Sequence, residues 1–121
     1  VPKVLDTPAL VFEDDDLLVV DKPAGLVCHS AQRPGQPSLV DWIRDRGVTT
    51  PRMVNRLDRE TSGLVLVTKN ERAAKIVGNQ VLRREVDKEY VAICFGLMRE
   101  AVGTVDQPIA VTDDPGALVY T

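Results

Sequence analysis

The sequence predicts an α+β fold, and three observations predict it. Short β-rich runs recur at residues 9–12, 17–20, 64–68 and 88–95. Two stretches between them, opening at Ser38 and Asn70, carry helix caps and apolar residues at helical spacing. At 121 residues the chain is one modest domain at most, long enough for a single core that buries roughly 65% of the unfolded surface.

Residues 9–12 and 17–20 read as strands joined by the acidic turn Glu13-Asp14-Asp15-Asp16. The second strand leads into Asp21-Lys22-Pro23-Ala24-Gly25, a Pro/Gly turn, and then into Leu26-Val27-Cys28. Residues 31–37 form a loop. Ser38 is placed to cap a short helix, with Asp41 as a variant capping box and Leu39, Trp42 and Ile43 on one face. That helix should end near Gly47, and residues 48–51 form another loop.

Residues 64–68 predict a strand buried on both faces, because four apolar residues in a row are bounded by Gly63 and Lys69-Asn70. Asn70 caps the longest helix, which should run to about Arg84. Ala73, Ala74, Ile76, Val77, Val81 and Leu82 mostly share its buried face, and Lys75, Asn79 and Arg83 point outward. Residues 88–95 (KEYVAICF) read as a strand closed by Gly96. Beyond Gly103 the signals weaken to a pairing of Val105 with residues 109–111, a turn at 113–116 and a β-like run at 117–121.

A hydrophobic fraction of 44% and a charged fraction of 27% suit a globular protein. No apolar run approaches the ~20 residues of a membrane-spanning helix, and the N-terminal residues lack the layout of a signal peptide. Cys28 and Cys94 lie in apolar surroundings, far apart and in no metal-ligand spacing, so both read as small buried thiols in a cytoplasmic setting. The net charge of −3 argues against binding nucleic acid by bulk electrostatics. Base is nevertheless concentrated at Arg44/Arg46, Arg52/Arg56/Arg59, Lys69/Arg72/Lys75 and Arg83/Arg84, and phosphate contacts need only a local patch.

The most informative stretch is Asn55-Arg56-Leu57-Asp58-Arg59-Glu60-Thr61-Ser62-Gly63. It sets Asp58 between two arginines, an arrangement that should keep the carboxylate ionised, at the edge of a rigid strand where chemistry can be positioned. For an isolated RLDR string the simpler reading is a surface ion pair with Arg56 or Arg59.

Three ordered segments strengthen the catalytic reading. Residues 55–69 (NRLDRETSGLVLVTK) closely resemble the signature of the RluA-type family of RNA pseudouridine synthases. Residues 17–30 (LLVVDKPAGLVCHS) resemble that family's first motif, and Lys88-Glu89-Tyr90-Val91-Ala92 with Gly96 resembles its third. The resemblance implies isomerisation of uridine to pseudouridine in rRNA or tRNA, with no cofactor and no metal. It implies a mixed, mostly antiparallel sheet with two packed helices, and Asp58 in the loop before a central strand.

By the same resemblance Asp58 is the catalytic carboxylate, either a nucleophile at the sugar or a base on it. Tyr90 would stack on the uracil or assist proton removal from carbon 5. Arg56 would either fill the space of a flipped-out uridine or contact phosphate, with Arg59 as a further RNA contact. Lys22 is a partner for phosphate or carboxylate. Thr61, Ser62 and Gly63 shape the loop through short hydroxyls and glycine's freedom. His29, the chain's only histidine, reads as structural, because no Ser or Cys nucleophile is offered to it.

Two departures stand out. Asn55 occupies the place where the motif most often has His, so the interaction of that imidazole is lost or passes to the amide. A Thr-Gly-Arg-x-His-Gln-Ile-Arg-like segment, whose arginine pairs with the catalytic aspartate in the family, does not occur. The chain therefore reads as the N-terminal portion of a catalytic domain. A catalytically inactive RNA-binding relative is the alternative. A glycosidase is disfavoured, because Glu60 lies two residues from Asp58 on a turn where side chains diverge.

Overall fold

The computed structural model describes residues 7–30 and 35–108. The chain divides into two units, Val1–Lys88 and Glu89–Thr121. In the first, the order is β1 (Ala9–Glu13), β2 (Leu17–Lys22), α1 (Leu39–Asp45), β3 (Arg52–Met53), β4 (Gly63–Thr68) and α2 (Glu71–Leu82). The four strands form one antiparallel sheet in the order β1-β2-β4-β3. A parallel bridge outside it joins Val27 to Ser38.

Period-two alternation explains the core. Leu18 pairs with Val67 and Val20 with Val65, and all four are fully buried. Leu39 and Ile43 of α1 join them, with Cys28 and Val48, while Leu26, Trp42, Met53 and Leu57 pack around the cluster. Each fully buried Leu, Ile or Val contributes about 1.5–3 kcal/mol, so these side chains hold α1 to the sheet. The expected burial of β4 on both faces is not met: Val65 and Val67 are buried, but Leu64 is 58% exposed.

Both helices start where the sequence places them. Ser38 accepts from the Asp41 N–H, and the Asp41 carboxylate accepts from the Ser38 N–H at 3.1 Å, so aspartate completes the box. The Asn70 side chain accepts from the Ala73 N–H at 2.9 Å. Along α2 only Ala73 and Val77 are buried, with Ile76 and Leu82 exposed, a narrower face than predicted. The α2 helix closes through Arg84, whose φ of 58° is the left-handed conformation that more often selects glycine.

The acidic turn is locked to the start of α2. Lys69 Nζ donates to Glu13 Oε1 at 3.0 Å and to the Asp14 carbonyl at 2.7 Å. Asn70 Nδ2 and Arg72 Nη2 donate to the Asp16 carboxylate at 2.7 and 3.0 Å. The Asn70 amide, followed by Arg72 and Lys69, holds the Asp16 carboxyl below the usual carboxylate range, against a smaller opposing effect of desolvation. Arg46 also lies 3.7 Å from Glu13, and Lys75 pairs with Glu71. Several cations of the expected basic surface are thus neutralised by the chain's own acids.

Three sequence expectations need correction. Asp21 and Lys22 belong to β2, paired with Leu64 and Gly63, rather than to the turn. β3 was not expected; two residues are too short for periodicity to reveal, and pairing with Thr68 and Val67 defines them. Residues 88–95 form no strand. A strand exists only where a neighbour takes its backbone hydrogen bonds, and among the described residues none does.

In the second unit, residues 89–108 have neither helix nor strand. Val91, Ile93, Phe95 and Leu97 are almost wholly exposed, and Cys94 is exposed rather than buried. The expected features at residues 109–111, 113–116 and 117–121, and part of the 31–37 loop, lie outside the described residues.

Candidate active site

Asp58 stands on the loop between β3 and β4, an interior strand of the sheet. The loop is fixed mainly by the segment that follows β2. The Gly25 N–H donates to the Arg59 carbonyl at 2.6 Å. Lys22 Nζ donates to three carbonyls, those of Leu26 at 2.7 Å, Pro23 at 2.9 Å and Arg59 at 3.2 Å. The Cys28 thiol donates to the Leu57 carbonyl at 3.4 Å and its sulfur accepts from the Leu57 N–H at 3.5 Å. Residues on either side of Asp58 are therefore tied down through their backbones, and the carboxylate is left out of the network.

These contacts shape an open cleft of about 660 Å³, lined by Val27, Cys28, His29, Arg56, Leu57, Asp58 and Arg59. Asp58 is exposed in it, and its carboxylate has no hydrogen bond or ion pair among the described residues. The expectation that two arginines hold Asp58 is thus corrected. Arg59 Nε pairs with Glu60 at 2.7 Å, and Arg56 makes no side-chain hydrogen bond or ion pair among the described residues. Arg59 lies between two acids in the sequence, Asp58 and Glu60, and its guanidinium engages Glu60.

Lys22 requires the largest correction. Its side chain is fully buried beneath the cleft, with the ammonium engaged by three carbonyls, so it is a clamp for the two loops rather than a contact for phosphate. Burial is the main cause that lowers its pKa, opposed by Cys28, Glu60 and Asp58. A buried polar group must be satisfied internally, and the turn carbonyls meet that need.

Tyr90 lies in the second unit, exposed on irregular backbone. The loop after Asp58 is closed by the Thr61 N–H donating to the Asp58 carbonyl at 3.0 Å, not by the hydroxyls of Thr61 and Ser62. Gly63 has φ of 137°, a conformation open essentially to glycine alone. His29, set aside as structural in the sequence reading, is exposed in the cleft lining. Cys28 and Leu57 were missed as lining residues. The signal lay in the LVCHS run after the Pro/Gly turn, which leads the chain back beneath the Asp58 loop.

Asn55 adds a further fixing point. Its Nδ2 donates to the Leu64 carbonyl at 3.1 Å, and its Oδ1 accepts from the Leu66 N–H at 2.9 Å. Among the described residues no helix is long and apolar enough to cross a membrane, and no three His, Cys, Asp or Glu side chains group as a metal site.

Comparison with known proteins gives this geometry its context. The sequence profile of the RNA pseudouridylate synthase family matches residues 16–118. The chain is 36% identical over 122 residues to an uncharacterised RNA pseudouridine synthase of Bacillus subtilis (strain 168), covering 89% of this chain and 40% of that protein. It is 35% identical over 118 residues to the mitochondrial tRNA pseudouridine(32) synthase of Saccharomyces cerevisiae, covering 97% and 26%. It is 37% identical over 105 residues to ribosomal large subunit pseudouridine synthase D of Xanthomonas campestris, covering 83% and 31%. Among solved structures, human RNA pseudouridylate synthase domain containing 1 superimposes with a TM-score of 0.55 at 25% identity, covering 69% of this chain and 31% of that one. The chain thus spans 40% or less of the length of these curated relatives.

Proposed function

The chain belongs to the RNA pseudouridylate synthase family, and on that premise we propose that its protein isomerises uridine to pseudouridine in structured RNA, ribosomal or transfer, with Asp58 as the catalytic carboxylate. One observation carries the reading. Asp58 is exposed in an open cleft on a loop pinned at Leu57 and Arg59, and no side chain among the described residues occupies its oxygens. A rigid backbone presenting an uncommitted carboxylate is what nucleophilic or basic attack on a bound sugar requires.

The reaction breaks the bond between uracil N1 and ribose C1′ and forms one between C5 and C1′. N1 gains a proton and C5 loses one, so no electrons are gained or lost overall and no redox cofactor is needed. Asp58 serves as nucleophile at the sugar or as base on it, and Tyr90 stacks on the uracil or assists removal of the C5 proton. Arg56, with no ion pair among the described residues, suits either the space left by an extruded base or a phosphate. Arg59 is 51% exposed and its partner Glu60 72%, so their ion pair is worth about 0–1 kcal/mol and can yield to a phosphate.

The ribosomal and transfer RNA relatives support those two substrate classes. Their greater length, of which this chain spans 26% and 31%, supports reading it as part of a longer catalytic protein. Two unpaired cysteines suit a reducing compartment such as the cytoplasm.

The test is tritium release from RNA labelled at uracil carbon 5, with the full natural protein and the 121-residue chain assayed in parallel. Release by the full protein supports the proposal, and a silent short chain beside it supports the partial-domain reading. RNA binding without release from ribosomal or transfer RNA would instead identify an inactive relative.

A further inference from the structure

We infer that Asn55 is a positioning residue that holds the Asp58 loop on β4 by completing the sheet with a side chain, an inference that rests on the proposed role of Asp58. Backbone pairing between β3 and β4 ends one residue earlier. Arg52 and Met53 pair with Thr68 and Val67, and the Val54 N–H still reaches the Leu66 carbonyl at 2.8 Å. The chain must then leave the sheet, because Asp58 has to stand out in the cleft. Departure leaves the Leu66 N–H and the Leu64 carbonyl on the edge of β4 with no backbone partner from that side.

The Asn55 amide takes both. It offers one donor and one acceptor on a planar group, the pair a strand backbone would have presented. The side chain therefore extends the ladder by two bonds while the backbone is released. It touches the strand that follows the loop, whereas Lys22 at the end of β2 and Gly25 and Cys28 just beyond it hold the loop from the other side of the sequence. Asn55 is not among the cleft-lining residues, so it acts on Asp58 through the backbone and not on substrate.

The experiment uses the full natural protein and two variants, Asn55→Ala and Asn55→Asp. Alanine removes both bonds. Aspartate keeps the shape and the acceptor for Leu66 but, ionised, cannot donate to Leu64. Hydrogen exchange and single-turnover tritium release are measured on each, together with RNA affinity. Exchange at the Leu66 amide should quicken about tenfold in the alanine variant, the equivalent of one lost hydrogen bond. Single-turnover rates in both variants should fall on the order of 10- to 100-fold, the scale of a misplaced catalytic group, with RNA affinity within about twofold of wild type.

Unchanged exchange in the alanine variant overturns the anchor. Quickened exchange with wild-type rates overturns the positioning role while leaving the proposed function intact. A silent wild type overturns the proposed function itself, and the catalytic half of this inference with it.

Discussion

Replacing Lys22 by methionine probes the clamp beneath the cleft. The wild-type side chain is 0% exposed, and its ammonium donates to the carbonyls of Leu26, Pro23 and Arg59 at 2.7, 2.9 and 3.2 Å. Methionine keeps the apolar stem and deletes the charge, so two effects oppose. Three acceptors lose a charged donor, each such hydrogen bond being worth about 1.5–3 kcal/mol, although the Arg59 carbonyl keeps the Gly25 N–H. Against that, removing a buried charge recovers several kcal/mol of desolvation. Weighing the two, we expect a net loss of about 2 kcal/mol at neutral pH, or roughly 8–16 °C in melting temperature for a small domain.

The pH dependence carries a definite sign. Burial lowers the folded-state pKa of Lys22 beneath lysine's ordinary 10.5. Between the two values the unfolded chain binds more protons than the folded one, so wild-type stability rises with pH across that window. The methionine variant lacks this contribution, and the gap between the proteins should widen from neutral to alkaline pH. Denaturant melts of both across that range measure it. A methionine variant as stable as wild type at neutral pH, or a gap that narrows as pH rises, would refute the reasoning.

Ser38→Ala removes the hydroxyl that accepts from the Asp41 N–H, leaves the backbone N–H of residue 38 to donate to the Asp41 carboxylate, and should cost about 1 kcal/mol, seen as a lower denaturant midpoint with an unchanged slope. Gly63→Ala meets no clash, since the new methyl would lie 3.7 Å from Leu57 Cδ1, but φ of 137° strains it by about 1–3 kcal/mol. Turnover of that variant should fall more than its stability alone explains, because the strain sits at the exit of the Asp58 loop. Asp16→Asn should flatten the acid limb of the stability curve. The wild-type contribution is full above 3.8 and disappears as pH falls through the lowered folded-state pKa, so melts of the two proteins should converge in acid.

Much of the fold was legible because local chemistry and tertiary packing agree. The apolar runs of β2 and β4, the Ser38-Asp41 box and the Asn70 cap are each visible in a few residues, and the structure places strands and caps there, although β4 alternates in burial where its unbroken apolar run predicted two buried faces. Features that depend on a partner were not legible. β3 is defined only by its pairing with β4, and residues 88–95 have the strand pattern without a described neighbour to pair with.

The site divides in the same way. The motif pointed to Asp58 and Arg56, and the structure brings them together in one cleft. It could not show that Arg59 turns to Glu60 or that Lys22 faces inward, because both depend on side-chain direction and on carbonyls supplied by distant turns. Nor could it show that an amide at position 55 continues a sheet, since Leu64 and Leu66 become its neighbours only once the loop has folded back.

The central claim is that Asp58 performs the chemistry and has little part in holding the fold. Its most direct test is single-turnover tritium release by the full natural protein carrying Asp58→Asn, with RNA affinity and melting temperature measured on the same sample. The account predicts unchanged melting, RNA affinity within about twofold and no detectable release, because the carboxylate has no partner in the described structure to lose. Release at the wild-type rate by a folded Asp58→Asn protein would contradict it.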